Sequence, residues 1–178
     1  MSNVPYLSTI EDPSVEPITL AEAKAFLRVD SDAENNLINH LIKTSRQIAE
    51  EYLGKSLITQ TLQLQFDYYT PPVVNLLRGP VQEVVAVIIV SQDFSESTLS
   101  ASAYHLSAGN RQIVFDVAPM GQIVQVQYVA GYGDAEDVPA PVKQGLLEHI
   151  ASMYENRGQN ELPVNVRSVY APYRTVRI

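Results

Sequence analysis

A change of period constrains this chain more than any other feature. Up to Gly54 apolar residues recur at helical spacing; from Ser56 to Val129 they alternate or crowd together as β-branched residues; after Val138 the helical spacing returns. The two helical stretches pack on each other most simply if the β segment is an insertion between them. The predicted class is therefore α+β: a three-helix core, two helices N-terminal and one C-terminal, carrying an inserted small antiparallel sheet or sandwich of about six strands and an extended C-terminal arm. The 178 residues read as a single domain. It comprises an extended N-terminal arm over 1–18, helices over 19–54, the β insertion over 55–130, a helix over 138–158 and the arm over 159–178.

Local signals mark the boundaries. Pro5, Pro13 and Pro17 keep the first 18 residues out of regular structure in this reading. Thr19 with Glu22 has capping-box spacing and opens a helix over Leu20 to Leu27, and Ser31 with Glu34 repeats the pattern before a second, longer helix. That helix carries its stripe at Leu37, Ile38, Leu41, Ile42, Ser45, Ile48, Ala49, Tyr52 and Leu53 and stops at Gly54. Its opposite face, Asn35, Asn39, Lys43, Arg46, Gln47 and Glu50, is expected to be solvated or to meet a polar partner, and is the candidate subunit–subunit face. Strands are expected over Ser56–Tyr69, Val73–Leu77, Val81–Gln92, Ala103–Leu106, Gln112–Phe115 and Ile123–Val129. The run Val84 to Val90, apolar on both sides, predicts a doubly covered strand, whereas Gln122 to Tyr128 alternates and predicts one wet face. Pro139 and Pro141 sit in the first turn of the last helix, where Pro is best tolerated, and Val142, Leu146, Ile150, Met153 and Tyr154 form its stripe up to Gly158.

Charge and chemistry exclude more than they assign. Twelve Lys and Arg against twenty Asp and Glu give a formal charge of −8, which opposes a surface that grips nucleic-acid phosphates. There is no cysteine for disulfides, thiolate metal sites or thiol nucleophiles, and no apolar run approaches the roughly 20 residues of a membrane span. The N-terminus lacks a basic region followed by an apolar core, so the expectation is a chain soluble in the cytosol at synthesis. His40, His105 and His149 lie on different elements without metal-ligand spacing and read as surface or half-buried histidines. The Gly131-Tyr132-Gly133-Asp134 stretch lacks the lysine and hydroxyl residue of a phosphate loop and reads as a strand-to-helix turn. The carboxylates Glu11-Asp12, Glu50-Glu51 and Glu96 fall on loops or outer faces. No catalytic set, metal or cofactor is expected.

The C-terminal segment stands apart. Leu162, Pro163, Val164, Val166, Arg167, Tyr170, Pro172, Tyr173 and Arg174 are dense in apolar, aromatic and basic groups, while Pro163 and Pro172 forbid one helix through all of them. Tyrosine buries a large ring while keeping a wet hydroxyl, so Tyr170 and Tyr173, which no predicted element covers, point to an interface. Residues 159–178 hold Glu161 against Arg167, Arg174 and Arg177, a basic arm on an acidic body that docks on an acidic neighbour or folds back on its own body by the same attraction.

In order, PITLAEAKAFLRVD, a long helix ending in EEYLGKSLITQT, LLRGPVQEVVAV, VQYVAGYGDAEDVPAPVKQGLLEHIASMYENRG and LPVNVRSVYAPYR resemble the head-to-tail connector (adaptor, or head completion) proteins of long-tailed phages, prophages and gene transfer agents. The resemblance covers about residues 17 to 174. It implies a non-enzymatic virion protein in the neck between head and tail, with a helical core and a variable β insertion. It further implies a ring of about twelve copies, closed by head-to-tail contacts and docked below the portal protein through the stretch matching Leu162 to Arg174. A tail-side connector or stopper would bind the other side, DNA would slide through the acidic channel without specific binding, and no membrane is involved. The alternative is a tail or baseplate module whose sheet recognises a protein or carbohydrate.

Overall fold

The computed structural model describes residues 5–68, 70–156 and 160–175. The expectations for Tyr69, Gly158 and Arg177 lie outside them. The chain divides into two compact units: Met1–Pro13 with Thr59–Gly131, which carries all the described strands, and Ser14–Ile58 with Tyr132–Ile178, which carries the α-helices. The α+β class and the inserted sheet hold.

In the helical unit, α1 (Leu20–Leu27) begins as the sequence predicts. The Thr19 hydroxyl accepts from Glu22 N–H at 3.2 Å, and the Glu22 carboxylate accepts from Thr19 N–H at 2.7 Å. The second capping box does not form. Ser31 Oγ instead accepts from Ala33 N–H at 3.2 Å and caps a short 3-10 turn, while the Glu34 carboxylate accepts from the Tyr154 hydroxyl at 2.6 Å. Helix α2 (Asn35–Leu53) follows as the longest element and ends where Gly54 takes φ 65°, a left-handed stop that glycine adopts without strain. Helix α3 (Ala140–Glu155) opens after Pro139, and α4 (Val164–Tyr170) opens after Pro163. Their core joins Ile38, Ala49 and Leu53 of α2 to Val142, Leu146 and Ile150 of α3, with Ile18, Leu57 and Ile58 from the connecting segments.

The β unit pairs a five-stranded antiparallel sheet with a three-stranded one. The strands are β1 (Tyr6–Glu11), β2 (Gln60–Asp67), β3 (Val73–Asn75), β4 (Val81–Val90), β5 (Glu96–Thr98), β6 (Tyr104–Ser107), β7 (Gln112–Phe115) and β8 (Ile123–Ala130). The larger sheet runs β1-β2-β8-β4-β5 and the smaller β3-β7-β6. Inward residues Leu62, Leu64 and Phe66 of β2 and Val124, Val126 and Tyr128 of β8 meet Ile113 and Phe115 of β7. On the other face of the larger sheet, Gln127 Nε2 donates to Gln63 Oε1 at 3.0 Å across a paired position, so the alternation expected around Gln122 to Tyr128 is present.

Besides the second capping box, and Leu37, which the expected α2 stripe included but which is 42% exposed, three further sequence expectations fail. The N-terminal stretch is not irregular throughout: Tyr6–Glu11 forms an edge strand on β2, bracketed by Pro5 and Pro13, which lie just outside it and so obstruct no ladder. Segment Val84–Val90 is not doubly covered, since Val85 is 54% exposed: the second sheet covers only one face. The extended C-terminal arm is a helix followed by a 3-10 turn at Ala171–Tyr173.

Candidate functional site

The C-terminal segment is anchored from within. Val166 and Tyr170, four residues apart on one face of α4, are buried in the helical core, and so is Leu162 just before the helix. The Tyr170 ring lies so close to the α3 backbone at Gly145 that a Cβ there would collide with it, and its ring centroid is 6.2 Å from that of Tyr52. The Tyr170 hydroxyl donates to the Val142 carbonyl at 3.5 Å, and burial, with a smaller push from the Glu148 charge, raises its pKa well above the ordinary tyrosine value. Asn165 Nδ2 donates to Glu148 at 2.7 Å, Arg167 Nε donates to the Leu162 carbonyl at 2.8 Å, and Thr175 N–H donates to the Leu53 carbonyl at 2.8 Å. The Arg174 guanidinium lies 5.1 Å from the centre of the Tyr52 ring. Tyr170 is therefore not the interface residue expected of it.

What the segment offers outward is its other face. Val164 is 77% exposed, and Arg167, Pro172 and Arg174 are exposed, with Pro163 and Tyr173 half-buried beside them. The spacing of Leu162, Val166, Val169 and Tyr170 carried the helical signal; the flanking prolines concealed it, because each sits just outside the seven residues that form α4.

The outer face of α2 also divides. Asn39, Lys43 and Gln47 are exposed and Asn35 is half-buried, its amide oxygen accepting from Lys24 Nζ at 3.1 Å. Arg46 and Glu50, expected on that same polar face, are 3% and 1% exposed. Arg46 Nε and Nη2 form a fork on the Glu16 carboxylate at 2.7 and 3.2 Å, and Nη1 donates to Glu50 at 3.1 Å. The second Glu50 oxygen accepts from Leu57 N–H at 2.8 Å. Burial alone would lower the Arg46 pKa, but the hydrogen bonds it donates to Glu16 and the charges of Glu50 and Glu16 outweigh that, so the guanidinium stays charged. Glu16, far away in sequence, is the partner that draws these residues inward; a helical-wheel reading holds no trace of it.

The remaining polar candidates stay apart. His40 and His105 are exposed, whereas His149 is fully buried, against the expectation of a surface or half-buried residue. Among the described residues neither ring nitrogen makes a hydrogen bond of good geometry; burial holds its pKa below the ordinary histidine value, and the nearby Asn160 backbone partly offsets that shift. No group of three or more His, Asp or Glu among the described residues is arranged to hold a metal ion, and no helix among them is long and apolar enough to cross a membrane. Gly133 takes φ 139° and Asp137 accepts from Asp134 N–H at 2.9 Å, which makes the Gly131 to Asp134 stretch a closed turn between β8 and α3.

The sequence model of the family described as phage gp6-like head-tail connector protein matches residues 17–120. No curated protein sequence matches the chain. Among solved structures, the fold is similar to a chain in the neck of an empty gene transfer agent (GTA) particle computed with C6 symmetry, at 22% identity and TM-score 0.84 over 97% of each chain. It is also similar to a chain in the virion of a native gene transfer agent particle, at 22% identity and TM-score 0.82, over 97% of this chain and 96% of that one. A third similar chain, from the neck of a native GTA particle computed with C12 symmetry, has 22% identity and TM-score 0.72 over 95% of this chain and 97% of that one. These likenesses establish the fold over nearly the whole chain, beyond the residues that the family model spans.

Proposed function

This chain belongs to the family of phage gp6-like head-tail connector proteins, a family of structural virion components, and we propose that it works as one subunit of a ring in the virion neck. The observation that carries the reading is the family match joined to a fold likeness of TM-score 0.84 with a chain from the neck of a gene transfer agent particle. The C6 and C12 symmetries under which such necks were computed support a closed ring, in which each copy meets the next through unlike surfaces. The formal charge of −8 suits a channel that DNA crosses without being held. Its partners are a portal protein on the head side and a connector or stopper on the tail side.

Two surfaces serve those contacts in this reading. The outward face of the C-terminal segment, Val164, Arg167, Pro172 and Arg174, docks on the portal, and the exposed residues of α2, Asn39, Lys43 and Gln47, meet the neighbouring subunit. Arg46 and Glu50 are excluded from that contact because they are paired inside the unit. Electron microscopy of particles made with the chain tests the ring, and a neck without it overturns the reading. Val164→Asp with Arg167→Glu is expected to leave folding intact and abolish docking on purified portal; undiminished docking would remove the C-terminal face from the proposal.

A further inference from the structure

Exposed apolar side chains gather at one end of the five-stranded sheet. The chain turns there from β2 towards β3, from β4 to β5 and from β7 into β8, and Tyr68, Phe94 and Met120 stand in those turns at 79%, 73% and 88% exposure. Short backbone bonds tie the turns together. Tyr68 N–H donates to the Gln122 carbonyl at 2.8 Å, Gln122 N–H to the Val90 carbonyl at 2.8 Å, and Phe94 N–H to the Ser91 carbonyl at 3.0 Å. Tyr68, Ser91, Gln92 and Met120 line one shallow concavity.

Two features mark this end. Tyr68 and Phe94 take φ of 64° and 62°, a left-handed conformation that bulky side chains rarely adopt and that Gly or Asn would hold at lower cost. Arg28, Arg78, Ala108 and Asn110 take positive φ as well, but at Tyr68 and Phe94 the strained backbone carries an exposed aromatic ring, an arrangement that burial does not reward. The charges nearby are also of one sign. Asp67, Asp93 and Asp116 flank the three turns, and hydrogen bonds from the Ser95 hydroxyl and N–H hold the Asp93 carboxyl below the usual carboxylate range. Arg78 and Arg111, the basic residues of this unit, belong to the opposite end: Pro80 accepts from Gly131 N–H, and Arg111 accepts from Leu76 N–H.

We propose that this end of the β unit is a docking surface for another protein of the particle, one that presents an apolar side chain ringed by lysine or arginine. An apolar centre with a charged rim is the common form of a specific protein contact, and the acidic rim selects a basic counterpart. A second copy of the same surface does not fit, since it would set carboxylate against carboxylate. The inference rests on the connector reading and adds a contact to the two surfaces assigned above.

The test uses whole particles. With p-benzoylphenylalanine in place of Tyr68, irradiation is expected to join the chain to a different protein, within a segment holding Lys or Arg beside an apolar residue. Phe94→Asn with Met120→Ser is expected to keep the wild-type melting temperature, lower that adduct and cut the yield of tailed particles about tenfold or more, as loss of a central contact does. An adduct with another copy of this chain, with an acidic segment, or with nothing overturns the proposal, as does full assembly by the double variant. Wild-type chain present in the neck while the variant assembles normally sinks this inference alone; wild-type chain absent from the neck sinks the connector reading with it.

Discussion

Arg46 shows how much one side chain decides. Its guanidinium fork closes on Glu16 and Glu50 within the unit, so removing it leaves two carboxylates without their cation. Arg46→Leu is expected to cost about 3–5 kcal/mol, measured as a shift in denaturant midpoint. At Gly145, Ala would drive a methyl into the Tyr170 ring; the cost of about 1–3 kcal/mol should shrink when Tyr170→Leu is also present, a coupling that a double-mutant cycle reads. His149 gives a pH dependence. Its folded pKa lies below the unfolded value near 6.5, so above that pH the imidazole is neutral in both the folded and the unfolded chain. Below it the unfolded chain takes up the proton first, and stability falls by up to about 1.4 kcal/mol per pH unit until the folded pKa is reached. His149→Leu is expected to flatten that part of the stability–pH curve, and an unchanged slope would show that the buried imidazole is not its source.

At the scale of elements, what the sequence reveals follows the range of the interaction involved. The capping box at Thr19, the Gly54 stop, the Pro-led start of α3 and the inward stripes of α2 and α3 depend on neighbours within a few residues, and each is visible in the chain order. Strand β1 depends on a partner some fifty residues away, and α4 on a groove shaped by Gly145 and Tyr52; proline positions alone misread both. On the C-terminal segment the sequence shows a dense run of apolar, aromatic and basic residues, but not its division into an inward and an outward face. That division sets an expectation. Ending the chain at Glu161 removes Leu162, Val166 and Tyr170 from the core, at about 1.5–3 kcal/mol each, and should unfold the helical unit, seen as loss of its cooperative far-ultraviolet transition. Substitutions at Val164 or Arg167 should leave that transition within about 0.5 kcal/mol.

Over the whole molecule, each unit has a hydrophobic cluster of its own. A connector built this way can keep its frame constant while its sheet changes. The chain leaves the helical unit after Ile58 and returns at Tyr132, and at that seam Tyr132 N–H donates to the Leu57 carbonyl at 3.3 Å. The departing and returning strands pair at once, Gln60 opposite Ala130. A chain of residues 14–58 and 132–178 joined by a short Gly-Ser bridge is expected to keep the helical core, checked by hydrogen exchange at Leu146 and Ile150; complete exchange there would show that the sheet is needed to hold the frame. Because that hydrogen bond already brings the two ends of the excursion together, lengthening, shortening or replacing what lies between them is expected to leave the helical core folded. The seam is a splice point at which one particle's sheet could be traded for another's.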